Sequence, residues 1–77
     1  MLDKVKEILA QYVEVDPAEI NESTLLAEDL GLTSFAFMTM MGDFEEAFDI
    51  TLDDESELNG IRTVGDVIEF LKKKTGE

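Results

Sequence analysis

The sequence predicts a small all-α bundle of three main helices plus one short helix, with a long first loop. Two observations support this fold class. Apolar residues recur at helical spacing in three separate segments, whereas only Ile50-Thr51-Leu52 looks extended. Because 77 residues suffice for one domain, we expect a single domain over residues 1–77.

The first helix is expected over about residues 2–13. Its apolar stripe consists of Val5, Ile8, Leu9 and Tyr12. A single turn is expected next, from Asp16 to about Ile20, because Asp16 can cap it and Pro17 suits its first position. A long connection then runs to about Thr33, and we expect its leucines to pack against the helices and Gly31 to supply a turn.

The second main helix is expected from about Ser34 to Phe48. Its main apolar stripe consists of Phe37, Met41, Phe44 and Phe48, and Phe35, Met38 and Met40 add further apolar surface. Glycine in mid-helix costs about 1 kcal/mol relative to alanine, so a packing reason is expected for Gly42.

Thr63 and Asp66 resemble a capping box and predict the start of the last helix. This helix follows an acidic, turn-like segment at residues 53–60 that can hold the short helix. Its apolar stripe consists of Val64, Val67, Ile68 and Leu71, with Phe70 beside it. Three lysines suit the last turn of a helix, and Gly76 fits its end.

Composition excludes several classes of function. The chain has neither cysteine nor histidine, which removes disulfides, thiolate or imidazole metal sites and the Ser–His–Asp triad. We therefore expect no enzyme and no metal site. Net charge is −13, and no cation lies between Lys6 and Arg62. Such a surface repels nucleic acids and attracts proteins with basic patches.

Neither a signal peptide nor an apolar run of about 20 residues is present. The sequence therefore predicts a cytoplasmic protein without a membrane span, and we expect a monomer.

The segment from Glu28 to Phe35 resembles the signature of the acyl carrier protein family. In that family Glu-Asp-Leu-Gly is followed by a two-residue step and then Asp-Ser-Leu, and the serine opens the second helix. Here Glu28-Asp29-Leu30-Gly31 matches fully, and Ser34 falls at the modified serine. Three later segments also resemble the family, namely Phe44-Glu45-Glu46-Ala47-Phe48-Asp49, Asp53-Asp54-Glu55 and Ile61-Arg62-Thr63-Val64. The resemblance covers nearly the whole chain.

The resemblance implies a carrier whose Ser34 holds a 4′-phosphopantetheine arm. Such a carrier has no catalytic activity of its own and delivers acyl thioesters to enzymes of fatty-acid or related polyketide or lipid biosynthesis. Its partners would be a phosphopantetheinyl transferase and acyl-transferring and condensing enzymes with basic patches. A serine at a helix N-terminus suits a phosphodiester, because free N–H groups and the positive helix end lie beside it.

The resemblance also implies two sets of further site residues. Those expected to dock partner enzymes are Asp29, Phe35, Met38, Asp43, Glu45 and Glu46. The alternative for Asp43, Glu45 and Glu46 is a solvated helix face without a partner. Those expected to line an acyl pocket between helices are Met38, Met41, Phe44, Ile61 and Val67. The alternative for the surplus of phenylalanine and methionine in the second helix is plain filling of the core.

The sequence departs from the family pattern around the serine, and alternatives follow. Thr33 and Phe35 stand where the family has Asp and Leu, and Ala36 and Thr39 replace residues that are usually acidic. One alternative is an unmodified carrier-like interaction module that docks through its acidic, Met-rich second helix. In that case Ser34 is a plain N-cap. A calcium-binding protein fits the composition only, because residues 53–57 lack the pattern of an EF-hand loop.

Overall fold

The computed structural model describes residues 2–52 and 55–76. In these ranges three α-helices, α1 (Leu2–Leu9), α2 (Ser34–Phe48) and α3 (Val64–Thr75), alternate with two short 3₁₀ helices at Pro17–Glu19 and Glu55–Leu58. The described ranges contain no β-strand, only an isolated antiparallel bridge between Leu25 and Thr63. The all-α prediction is confirmed.

The first helix is shorter than the predicted 2–13. Regular α-helix ends at Leu9, and the chain then tightens, because the N–H groups of Gln11 and Tyr12 bond to carbonyls three residues back, at 3.1 and 2.9 Å. Such 3₁₀-type bonds commonly close the last turn of a helix. The predicted stripe still faces the core, with Val5, Ile8 and Leu9 buried and Tyr12 half-buried.

The long first connection is tied to the start of α3. Its first turn is the 3₁₀ helix Pro17–Glu19, where the carboxylate of Asp16 accepts the N–H of Ala18 at 2.9 Å. Further along, the N–H of Leu26 donates to the carbonyl of Arg62 at 2.9 Å, and that of Gly65 to Glu22 at 2.9 Å. Leu26, Leu30 and Leu32 are buried and Leu25 is half-buried, as the sequence predicts for the leucines of this connection. The connection is therefore a packed structural element.

The second helix has the predicted bounds. It ends at Asp49, which adopts a left-handed conformation (φ 53°) and donates its N–H to the carbonyl of Glu45. The packing reason expected for Gly42 is wrong. Gly42 is exposed, and a Cβ built there would meet no atom within 4 Å.

The third helix begins with the predicted capping box. The Thr63 hydroxyl accepts the N–H of Asp66 at 3.1 Å, and the Asp66 carboxylate accepts the N–H of Thr63 at 3.1 Å. The helix ends at Gly76 in a left-handed conformation (φ 81°). Every predicted apolar residue of this helix is buried.

The core lies where the three helices meet. Its fully buried large side chains are Phe44, Leu9, Ile20, Met40, Met41, Leu71, Val5, Val64 and Val67. None of the helices in the described ranges combines the length and apolarity that crossing a bilayer requires.

Candidate functional site

The start of α2 presents two adjacent hydroxyl groups with different surroundings. Gly31 adopts a positive φ of 70°, which turns the chain into the helix. Thr33 is the N-cap, and its hydroxyl accepts the N–H of Ala36 at 3.0 Å. Ser34 is the first helical residue, is exposed, and its hydroxyl forms no hydrogen bond within the described ranges. The Ser34 oxygen is therefore free to react.

The electrostatics of this helix start favour an anion. The first N–H groups of a helix lack intrahelical partners and carry the positive end of its dipole. No acidic residue lies in the first turn of α2 to neutralise this positive end of the dipole. A phosphodiester on Ser34 would lie beside these donors, so the residues present fit a phosphopantetheine group.

A cleft of about 640 Å³ opens beside Ser34. One wall comes from the long connection and the start of α2, and the other from residues 58–62. The lining residues are Leu25, Leu26, Ala27, Glu28, Leu32, Thr33, Ser34, Phe37, Met38, Leu58, Asn59, Ile61 and Arg62. Leucine, isoleucine, phenylalanine and methionine side chains supply the apolar part of its lining, so the cleft can shelter an apolar chain.

The five residues predicted for an acyl pocket do not lie together on this cleft. Met38 and Ile61 line it. Met41, Phe44 and Val67 are packed in the helical core, with side chains 2%, 0% and 0% exposed. These three side chains project from the faces of α2 and α3 that pack in the core, and not toward the cleft.

The residues predicted to dock partners fall into two groups. Phe35 (82% exposed), Met38 (42% exposed) and Glu46 lie on the surface of α2. Their spacing places them on one helical face, which also includes Thr39 and Gly42.

The other three predicted docking residues hold parts of the fold together. The Asp29 carboxylate accepts the N–H of Leu25 at 2.8 Å. Glu45 accepts the N–H of Leu52 at 2.7 Å, and Asp43 accepts the hydroxyl of Tyr12. The hydrogen bond to Asp43 is the main reason why the pKa of Tyr12 is raised, with desolvation and the Asp43 charge adding to it.

Arg62 is a residue of the site whose role the sequence pattern did not indicate. It lines the cleft that contains Ser34. Its backbone N–H donates to the Asp66 carboxylate at 3.0 Å, and this bond and that from Thr63 lower the pKa of Asp66. The sequence signal for Arg62 was its isolation, since no other cation lies between Lys6 and Lys72.

The acidic segment near residue 55 bears on the calcium hypothesis. Asp53 and Asp54 lie outside the described residues. Within residues 2–52 and 55–76, no three carboxylates come together as a group that could hold a metal ion.

Comparison with known proteins identifies relatives over nearly the full chain. A family model described as "Phosphopantetheine attachment site" matches residues 3–71. An acyl carrier protein of Thermotoga maritima is 36% identical over 76 residues, covering 99% of this chain and 93% of that protein. One from Caulobacter vibrioides is 33% identical over 75 residues, covering 97% and 95%.

A solved structure supports the fold. It is described as "Novel Structural Components Contribute to the High Thermal Stability of Acyl Carrier Protein from Enterococcus faecalis". It superposes with a TM-score of 0.78 at 20% identity, covering 95% of this chain and 91% of that chain.

Proposed function

The chain belongs to the acyl carrier protein family, and from this premise we propose that Ser34 carries its 4′-phosphopantetheine arm. The proposal rests on one observation above all. Ser34 is exposed at the first position of α2, and Thr33 is the residue that caps the helix. The serine oxygen is thus accessible to a modifying enzyme and is not needed to cap the helix.

The chain's own residues would attach, orient and shelter the arm. Ser34 supplies the oxygen of the phosphodiester, and the first-turn N–H groups of α2 that Thr33 does not cap stabilise its charge. The bound cofactor supplies the thiol that holds an acyl group as a thioester. The cleft beside Ser34 offers Met38 and Ile61 as contacts for an apolar cargo. Met41, Phe44 and Val67 would contact cargo only if the core opened.

The exposed face of α2 is the proposed docking surface for partner enzymes. Phe35 and Met38 supply apolar contact, and Glu46 supplies charge for a basic patch. Asp29, Asp43 and Glu45 add to the negative field while their oxygens hold the fold. The partners we propose are a phosphopantetheinyl transferase and enzymes of fatty-acid or related polyketide or lipid biosynthesis. We place the protein in the cytoplasm as a single-domain monomer over residues 1–77.

The modification itself provides the test. Purified protein is incubated with coenzyme A and a broad-specificity transferase, and its intact mass is measured. We expect a gain of one phosphopantetheine, which Ser34→Ala abolishes. Ser23→Ala is the matched control, because Ser23 is an exposed turn residue and its loss should leave loading unchanged. An unchanged mass with several transferases, or loading of Ser34→Ala, would refute the proposal.

The interaction module that takes no arm is the other function considered from sequence. The match to the attachment-site family over residues 3–71 favours the modified carrier.

A further inference from the structure

Arg62 brings an isolated positive charge to the cleft that contains Ser34. The nearest cations in sequence are Lys6 on one side and Lys72 on the other. Net charge is −13, so most of the surface repels a phosphodiester. Arg62 is thus the lining residue of this cleft that can attract an anion through a full charge.

The guanidinium of Arg62 is not committed to an ion pair in the described ranges. No carboxylate there lies within 4.0 Å of it, although Asp66 and Glu28 are acidic neighbours. The Asp66 carboxylate already accepts the N–H groups of Arg62 and Thr63, at 3.0 and 3.1 Å. Arg62 is exposed and can therefore turn its side chain toward a ligand in the cleft.

The backbone of Arg62 is fixed on both sides. Its carbonyl accepts the N–H of Leu26 at 2.9 Å, and its N–H donates to Asp66 at 3.0 Å. The next residue, Thr63, forms the bridge to Leu25 and caps α3. A side chain that starts from a fixed backbone loses less freedom on binding than one on a mobile loop.

We propose that Arg62 is a positioning residue for the arm, pairing its guanidinium with the phosphodiester next to Ser34 so that the arm lies over the cleft. The inference rests on the proposed modification of Ser34. Arginine suits this role because its planar fork of N–H donors matches phosphate oxygens. Exposed ion pairs are weak, so the pairing favours the arm over the cleft by at most about five-fold. Salt reduces this preference.

Phosphorus NMR of the arm-bearing protein tests the pairing, because the phosphodiester is the only phosphorus in the molecule. Four loaded proteins are compared in phosphate-free buffer at low and high NaCl, namely the wild type, Arg62→Gln, Arg62→Lys and Lys73→Gln. Lys73→Gln removes the same charge from an exposed position in the last turn of α3. Thermal unfolding checks that all four are folded.

We expect the phosphorus resonance of Arg62→Gln to differ from wild type at low salt, and wild type to move toward it as salt is added. Lys73→Gln should superimpose on wild type, and Arg62→Lys should fall between. Identical resonances in wild type and Arg62→Gln at low salt would overturn the pairing.

Two further outcomes separate the causes of failure. A difference that appears only when the arm carries a cargo ending in a carboxylate would overturn the phosphodiester pairing, because Arg62 would then bind the cargo. If intact mass shows no arm on the wild type, both the proposed function and the pairing are refuted. If the proteins carry the arm and Arg62→Gln has the same resonance as wild type, only the proposed pairing is refuted.

Discussion

Thr33 and Ser34 are neighbours with separate tasks at the start of α2. The Thr33 hydroxyl accepts the N–H of Ala36 at 3.0 Å, whereas the Ser34 hydroxyl forms no hydrogen bond within the described ranges. The helix therefore does not depend on the oxygen that we propose is modified. This separation allows the cap and the attachment point to be tested independently.

Thr33→Ala should destabilise the protein while Ser34→Ala should not. Loss of an N-cap hydroxyl costs about 1 kcal/mol, which lowers Tm by about 4–8 °C in a domain of this size. Ser34→Ala should change the free energy of unfolding by less than about 0.5 kcal/mol, because its hydroxyl stabilises nothing in the fold. Urea unfolding followed by circular dichroism measures both. Equal losses in the two variants would contradict the division of tasks.

Gly42→Ala should stabilise the protein by about 1 kcal/mol. Alanine is the better helix former, and the added Cβ meets no atom within 4 Å. Gly65→Ala is the comparison, since a Cβ there would lie 3.0 Å from the carbonyl oxygen of Glu22. That oxygen also accepts the Gly65 N–H at 2.9 Å, so it cannot withdraw without weakening this bond.

Thermal unfolding of both glycine variants separates the effects. We expect a higher Tm for Gly42→Ala and a lower one for Gly65→Ala than for wild type. A gain in both would show that the contact at Glu22 relaxes at little cost.

Asp66→Asn should destabilise the protein by about 1 kcal/mol at neutral pH, because hydrogen bonds to a charged acceptor are stronger than those to a neutral one. The N–H groups of Arg62 and Thr63 lower the pKa of Asp66 in the folded state. The resulting stability is present above the pKa of the unfolded state, and it disappears as the pH falls through the folded pKa.

Urea unfolding of wild type and Asp66→Asn from pH 7 down to pH 3 measures this dependence. The difference between them should shrink in acid. Glu69→Gln, which removes the same charge from an exposed position on α3, is the matched control for the change in net charge. A difference that is constant with pH would mean that the charge of Asp66 contributes nothing.

Sequence pattern predicted the helix that carries the site but not which hydroxyl caps it. The bounds of α2 agree because Gly31 and the hydroxyl residues mark its start, and its apolar periodicity runs to Phe48. Thr33 and Ser34 are both good caps, however, and only the backbone geometry decides between them. The end of α1 was predicted too late, because the apolar residues keep their helical spacing through the tightened last turn. Spacing alone therefore does not show where the regular α-helix ends.

How deeply a side chain is buried was the other property that the sequence pattern did not predict. Met38 and Met41 are one helical turn apart, yet the first lines the cleft and the second is buried in the core. Carboxylates also look alike in sequence. Asp43 and Glu46 are three positions apart, and only Asp43 has a hydrogen-bonded partner in the described ranges.

Asp43→Asn should lower the pKa of Tyr12 toward the ordinary value for tyrosine. In the folded protein the hydrogen bond from the Tyr12 hydroxyl to Asp43 is the largest cause that raises this pKa, because deprotonation would break the bond and place two negative charges together. A raised pKa means that this contribution to stability is present below the pKa of the unfolded state. It is lost as the pH rises through the folded pKa.

Ultraviolet absorbance of tyrosinate measures this titration directly, because Tyr12 is the only tyrosine and the chain has no tryptophan. The matched control is Glu46→Gln, which removes one negative charge from an exposed position on the same helix. It should leave the midpoint close to wild type, whereas Asp43→Asn lowers it. Equal midpoints in all three proteins would show that the Tyr12 hydroxyl does not donate to Asp43 in solution. Asp43 would then be as available for docking as Glu46.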